Sequence, residues 1–225
     1  MDHRQHWDAV YRRRGAHDLS WFQPQAETSL RLIQGTGVAA REPLIDVGGG
    51  ASTLVDGLLR AGHSQLTVLD LSAEALAVAR ARLGAAAAGV RWVVADVTQA
   101  ALPPAGFALW HDRAVFHFLT AAEDRARYRQ AVRDAVRPGG HVVIATFAED
   151  GPPACSDLPV MRYDSRALCA ELGPGFTLRH SERQVHTTPT GAAQNFTWCV
   201  LQRSADAPVT GPGTDPPAAR QAPSR

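Results

Sequence analysis

Two stretches of the chain, and two isolated carboxylates between them, combine residue types that bind and react. In "DVGGGAS" (residues 46–52) Asp46 precedes three consecutive glycines, Gly48, Gly49 and Gly50. Glycine loses more freedom on ordering than any other residue, so such a cluster marks a tight turn or the close approach of a bound group. Asp70 ends "LTVLD", 20 residues after Gly50, and Asp96 follows "RWVVA". Carboxylates there can accept hydrogen bonds from ligand hydroxyls, although a loop aspartate also commonly serves its own turn. The second stretch, "WHDRAVFHFL" (110–119), sets His111, Asp112, Arg113 and His117 among aromatic residues. An imidazole titrates near neutral pH, which suits His111 to accept a proton or to orient a substrate. Arg113 suits an anionic substrate group or an ion pair with Asp112. The bland alternative makes His111 a capping residue, and His117 reads as a packed histidine.

These residues need elements to position them. "PLIDV" (43–47), "LTVLD" (66–70), "RWVVA" (91–95), "FALWH" (107–111) and "HVVIATF" (141–147) are short, apolar and β-branched, as strands buried on both faces of a parallel sheet are. Helical patterns separate them. Leu76, Ala79 and Leu83 share a face behind Ser72, an expected N-cap, and Thr120 with Glu123 has the spacing of a capping box ahead of Tyr128, Val132 and Ala135. "RPGG" (137–140) should stop that helix before the fifth strand. A further helix over 163–172 takes Asp164 as its cap, and then "FTLRHSERQV" (176–185) and "NFTWCVLQR" (195–203) form two strands with a short link, which must be antiparallel. The expected fold is α/β: a doubly wound, Rossmann-like, seven-stranded sheet, mostly parallel with a terminal antiparallel hairpin.

Composition narrows the function. The 225 residues fit one catalytic-size domain, and 23 basic against 22 acidic residues leave no general patch for nucleic acid or a membrane surface. No apolar run approaches the roughly 20 residues that cross a bilayer, and the N-terminus lacks the apolar stretch of a signal peptide, so a cytoplasmic setting is expected. Cys155, Cys169 and Cys199 match neither a disulfide framework nor a zinc site, and no metal is expected. Residues 204–225 have almost no large apolar side chains and read as a disordered tail.

Gly48 and Gly50 satisfy the first two positions of a dinucleotide fingerprint, but Thr53 replaces its third glycine. With "DVGGGAS", "VLDLS", "ADVT", "WHDR" and "RPGG" in order, residues 40–203 instead resemble the class I S-adenosylmethionine-dependent methyltransferases. The terminal hairpin, which dinucleotide-binding domains usually lack, strengthens the resemblance. It implies S-adenosylmethionine as cofactor. By position, it also implies that Asp46 and the Gly48–Gly50 backbone hold the methionine part, Asp70 the ribose hydroxyls with Leu71 alongside, and Asp96 with Val97 the adenine. Residues 1–40 would form a helical, aromatic lid segment over a cofactor-binding domain at 41–203, with Trp21 and Phe22 as lid residues. His111, Asp112 and Arg113 face the methyl group in this fold. Cys155, His186, Pro189 and Gln194 are candidates for the acceptor pocket.

The leading expectation is therefore methyl transfer to a small-molecule nucleophile. Three others stay open: a protein acceptor such as lysine, a non-catalytic nucleotide-binding module, and a nicotinamide-dependent oxidoreductase.

Overall fold

The computed structural model describes residues 3–205; the expected tail at 204–225 lies almost wholly outside them. Seven strands form one sheet in the order β3-β2-β1-β4-β5-β9-β8. The strands are β1 (Leu44–Val47), β2 (Leu66–Asp70), β3 (Val90–Val94), β4 (Phe107–Arg113), β5 (Val136–Phe147), β8 (Phe176–Thr187) and β9 (Ala193–Arg203). β1 to β5 pair in parallel, whereas β9 runs antiparallel to both β5 and β8. The expected hairpin is present, and its second arm lies between β5 and β8. A small hairpin of β6 (Ala154–Cys155) and β7 (Leu158–Pro159) stands apart from the sheet.

Both faces of the sheet are covered at its centre, which is why β1, β2 and β4 are apolar and buried along nearly their whole length, whereas the edge strand β8 is polar and largely exposed. Alternate residues of the central strands enter opposite cores. Leu44, Val68, Leu109 and Val143 pack with Ile33, Leu54 and Leu76 of α2 (Glu27–Gly35), α3 (Leu54–Arg60) and α4 (Ala73–Leu83). Ile45, Leu69, Trp110 and Ile144 pack with Tyr128, Val132 and Leu168 of α5 (Ala122–Ala135) and α6 (Ser165–Leu172). Helix α1 (His3–Arg13) has no buried residue and lies against α4.

Two caps form as the sequence predicts. Ser72 Oγ accepts from Ala75 N at 3.2 Å, and Asp164 Oδ1 accepts from Ala167 N at 2.6 Å. The Thr120–Glu123 capping box does not form. Helix α5 starts one residue later, behind Ala121, and the carbonyls of Leu119 and Thr120 instead accept from Arg125 Nη1. "RPGG" does not separate helix from strand either. Val136 already pairs with Phe107, and the four residues form an irregularity inside β5 where the register with β4 shifts.

Candidate functional site

The carboxyl ends of β1 to β5, the start of β9 and helix α1 line a cavity of about 510 Å³, within the range of small-molecule sites. Its wall follows the strand order: Asp96 and Val97 beyond β3, Asp70 and Leu71 at β2, Gly48 at β1, Arg113 at β4, Phe147 at β5 and Phe196 on β9. Cys155 and Gln194 border the far end. Helix α1 contributes Trp7 and Tyr11, which pack edge-on against Trp21 at 5.6 and 6.2 Å between ring centroids.

The glycine loop is needed for close approach. Gly48 has φ +67, and a Cβ there would lie 2.0 Å from Val115 Cγ2; a Cβ on Gly49 would lie 2.6 Å from Asp46 Oδ2. No side chain larger than hydrogen fits either place without movement.

Asp46 and His111 are register partners on neighbouring parallel strands, so their side chains leave the same face. His111 Nδ1 is 2.7 Å from Asp46 Oδ1, and its Nε2 is 3.0 Å from Ser29 Oγ on α2. Since the carboxylate can only accept, Nδ1 carries a proton, and Nε2 shares its hydrogen bond with the Ser29 hydroxyl. All three residues are buried. Asp46 and His111 border a small recess of about 50 Å³ behind the glycine loop rather than the main cavity. Asp46 Oδ2 has no hydrogen-bond partner among the described residues.

Asp70 Oδ1 accepts from Ser72 N at 2.8 Å, and burial raises the Asp70 pKa to about 7. Asp96 serves its own turn as well as the cavity wall: Oδ1 accepts from the amide and hydroxyl of Thr98 at 2.8 and 2.7 Å.

The residues after His111 divide between the two faces. Asp112 turns to the α5 side, where it accepts from Val115 N, Phe116 N and, at 2.6 Å, Tyr128 OH; burial raises its pKa to about 6. It makes no ion pair with Arg113. Arg113 lines the main cavity and donates from Nη1 to Trp21 O at 3.0 Å, with its guanidinium carbon 4.8 Å from the centre of the Phe196 ring. His117 is fully buried, its Nδ1 accepting from Phe147 N at 3.3 Å, and burial lowers its pKa to about 3.

Of the expected lid residues, Trp21 reaches the main cavity, while Phe22 borders only the recess and packs on His17. His186 and Gln194 are not in a link. Both belong to the extended strands β8 and β9, where they face each other in register, and the connection shrinks to 188–192 around Pro189. His186 donates from Nε2 to Ser20 O at 2.7 Å and stays outside the main cavity. Burial raises the Cys155 thiol to about 11, so it is held neutral. Among the described residues, no group of three or more His, Cys, Asp or Glu is placed to hold a metal ion, and no helix is long and apolar enough to cross a membrane.

Ser29 and Phe196 were not singled out by the sequence, whereas Tyr11 belongs to the expected aromatic lid segment. Ser29 stands 82 residues from His111 in a helix with no pattern of its own to mark it.

Residues 44–140 match the family model described as a methyltransferase domain. No curated protein matches the chain. Among solved structures, one concerned with the conversion of a disulfide bond into a thioacetal group during echinomycin biosynthesis superposes with a TM-score of 0.73 at 21% identity, covering 91% of this chain and 94% of that one. A Burkholderia thailandensis 1,6-didemethyltoxoflavin-N1-methyltransferase, with 1,6-didemethyltoxoflavin and S-adenosylhomocysteine bound, gives 0.65 at 21% identity, covering 89% and 84%. The N-methyltransferase NodS of Bradyrhizobium japonicum WM9, with S-adenosylhomocysteine, gives 0.64 at 17% identity, covering 87% and 97%. At such identities the likeness concerns the fold.

Proposed function

We propose that this chain, a class I S-adenosylmethionine-dependent methyltransferase, methylates a small-molecule nucleophile inside the aromatic-walled cavity. The observation that carries the reading is the cavity itself, of a size that takes a small molecule. It runs under α1 from Asp70 of β2 and Asp96 beyond β3 to Cys155 and Gln194, with aromatic walls that suit a small acceptor.

The cofactor fits the residues present. Asp46 has a buried carboxylate oxygen without a partner at the glycine loop, as an ammonium group requires, and Asp70 offers a carboxylate to ribose hydroxyls. Gly48–Gly50 would take the methionine part, Leu71 the ribose edge, and Asp96 and Val97 the adenine. The bound cofactor supplies a methyl group on a cationic sulfur. The chain's own part is to align the acceptor, keep water out with Trp7, Trp21 and Phe118, and hold the donor through Asp46 and Asp70. His111 has both ring nitrogens engaged, so its part is to fix Asp46 rather than to take a proton from the acceptor. Asp112 holds the turn that carries Val115 and Phe116.

Calorimetric titration with S-adenosylmethionine, S-adenosylhomocysteine and NAD tests the assignment. Binding of both sulfur compounds and not NAD, weakened in Asp70→Ala by roughly 1–3 kcal/mol, is expected. A folded sample that binds neither would refute it. Incubation with labelled donor and cell extract then separates small-molecule from protein acceptors by where the label appears.

A further inference from the structure

Arg113 is a cation whose fixed partners leave half of its fork unused. Its Nη1 is held by Trp21 O, but Nε and Nη2 are shielded from solvent and have no hydrogen-bond partner among the described residues. Those two nitrogens form one edge of the guanidinium, the edge that receives a carboxylate through two parallel N–H···O bonds. A shielded cation without an anion is costly, and buried charges are normally paired. Arg113 belongs to none of the ion pairs of the described residues, and its surroundings include Phe196, Trp21, the neutral Cys155 thiol and the imidazoles of His117 and His186, none of them an anion.

The position of this edge matters. Asp70 and Asp96 stand at β2 and β3, whereas Arg113 ends β4, two strands and so about 10 Å along the sheet from Asp70. The cavity is thus acidic where the donor's hydroxyls are expected and cationic toward Phe147, Cys155 and Phe196. Its walls at that end are aromatic, with Phe147 and Phe196 5.0 Å apart between ring centroids. An apolar, planar body would pack there, and an anionic group on it would meet Arg113.

Resting on the methyltransferase reading, we propose that Arg113 is a carboxylate anchor and that the methyl acceptor is a small planar carboxylic acid gripped by the Nε–Nη2 edge. An acceptor bearing an ammonium group, such as a lysine side chain, meets a like charge at this point and is rejected. The competing source of a carboxylate is the methionine part of the donor, because Arg113 also borders the recess behind the glycine loop.

The test uses the full chain saturated with S-adenosylhomocysteine and three probes of one shape: benzoate, benzamide and benzylamine. Tryptophan fluorescence reports binding, since Trp7 and Trp21 line the cavity. Benzoate should bind roughly tenfold or more tighter than either of the others, the size of a charge-assisted bidentate contact. Arg113→Gln should erase that preference while S-adenosylhomocysteine affinity stays within about twofold, and Arg113→Lys, which keeps the charge without the fork, should retain only part of it. The wild-type comparison stands even if a variant fails to fold. Equal binding of benzoate and benzamide, or binding of neither, overturns the proposal. So does an Arg113→Gln protein that loses S-adenosylhomocysteine but keeps its preference for benzoate, because the anchor then belongs to the donor. Failure of the wild type to bind S-adenosylhomocysteine at all would instead refute the donor assignment, and the same three probes on the free protein then judge Arg113 by itself.

Discussion

Asp46 Oδ1 and His111 Nδ1 lie 2.7 Å apart on matched positions of adjacent parallel strands, and Ser29 closes the chain from the helix above. The arrangement holds one oxygen of Asp46 still and leaves the other toward Gly49. His111→Ala should therefore act on donor binding, weakening S-adenosylhomocysteine by about tenfold, because a support residue behind a binding group typically costs that much. His111→Asn, which returns an N–H near the position of Nδ1, should recover most of the loss. A proton-accepting His111 would behave otherwise: kcat would fall by roughly 10²–10⁴-fold, donor affinity would be spared, and asparagine would not rescue. Measuring kcat and the S-adenosylhomocysteine Kd for both variants decides between the two.

Asp70 gives donor binding a pH dependence with a fixed sign. Burial raises its pKa to about 7, above that of an ordinary aspartate, so the free protein takes up a proton there as the pH falls below 7. Ribose hydroxyls need the ionised form, and the proton must leave when the donor binds. S-Adenosylhomocysteine affinity should be flat above pH 8 and about tenfold lower at pH 6, following the ionised fraction. Asp70→Asn should bind weakly at every pH and lose the slope. An affinity for the wild type that does not change between pH 8 and 6 would contradict the ribose assignment.

Much of this site was legible because its chemistry is local to strand ends. Asp46, Gly48–Gly50 and Asp70 follow apolar runs that could only be buried strands, and a parallel sheet brings successive carboxyl ends to one edge whatever lies between them. Side-chain partnerships across distant segments left no such trace. Nothing in "WHDR" says that Asp112 turns away to Tyr128 or that His111 meets Ser29, since both depend on which helix covers which face. Thr120 has the right spacing for a cap, yet the chain starts α5 at Ala122 and bonds the preceding carbonyls to Arg125, so a tertiary arginine overrides a local signal. Arg113 shows its type in the sequence, while its unpaired edge is visible only once Phe196 and Trp21 are brought beside it.

Gly48 and Val115 should be coupled. Gly48→Ala places a methyl group 2.0 Å from the present position of Val115 Cγ2 and also forces alanine to φ +67, which costs roughly 1–2 kcal/mol by itself. The single variant should lose clearly more than that in urea unfolding. Val115→Ala makes room, so the double variant should be free of the clash and keep only the backbone cost, an interaction energy of about 1–3 kcal/mol in a double-mutant cycle. Additive losses would show that the loop shifts away from Val115 instead.

His117 should make the fold sensitive to acid. Its folded pKa is lowered to about 3, whereas the unfolded chain takes up the proton near 6.5. The stability held by the neutral ring is complete above pH 6.5 and is lost progressively as the pH falls toward 3. By pH 5 this amounts to about 2 kcal/mol. His117→Phe should be less stable than the wild type at pH 7.5, because Phe147 N loses its acceptor, and the gap should shrink by about that amount at pH 5. Parallel pH curves for the two proteins would remove His117 as the cause.

Helix α1 should close over the donor rather than form part of the stable core. None of its residues is buried, and its polar attachments include the bond from Ser72 Oγ to Asp8 Oδ1 at 2.6 Å and an exposed Arg12–Glu74 pair at 3.8 Å that adds little. Yet Trp7 and Tyr11 roof the cavity, and the Tyr11 hydroxyl lies 3.1 Å from where a Cβ on Gly50 would stand. A segment with so little buried surface opens locally at small free-energy cost. Its amides should exchange quickly in the free protein and slow by roughly tenfold or more with S-adenosylhomocysteine bound, because the ligand adds contacts beneath Trp7 and Tyr11. Asp8→Ala removes the attachment to Ser72 and should weaken S-adenosylhomocysteine by about threefold to tenfold while leaving the midpoint of global thermal unfolding nearly unchanged. Equal protection of α1 with and without ligand, or an Asp8→Ala variant that lowers that midpoint without touching donor affinity, would make α1 a structural element and not a lid.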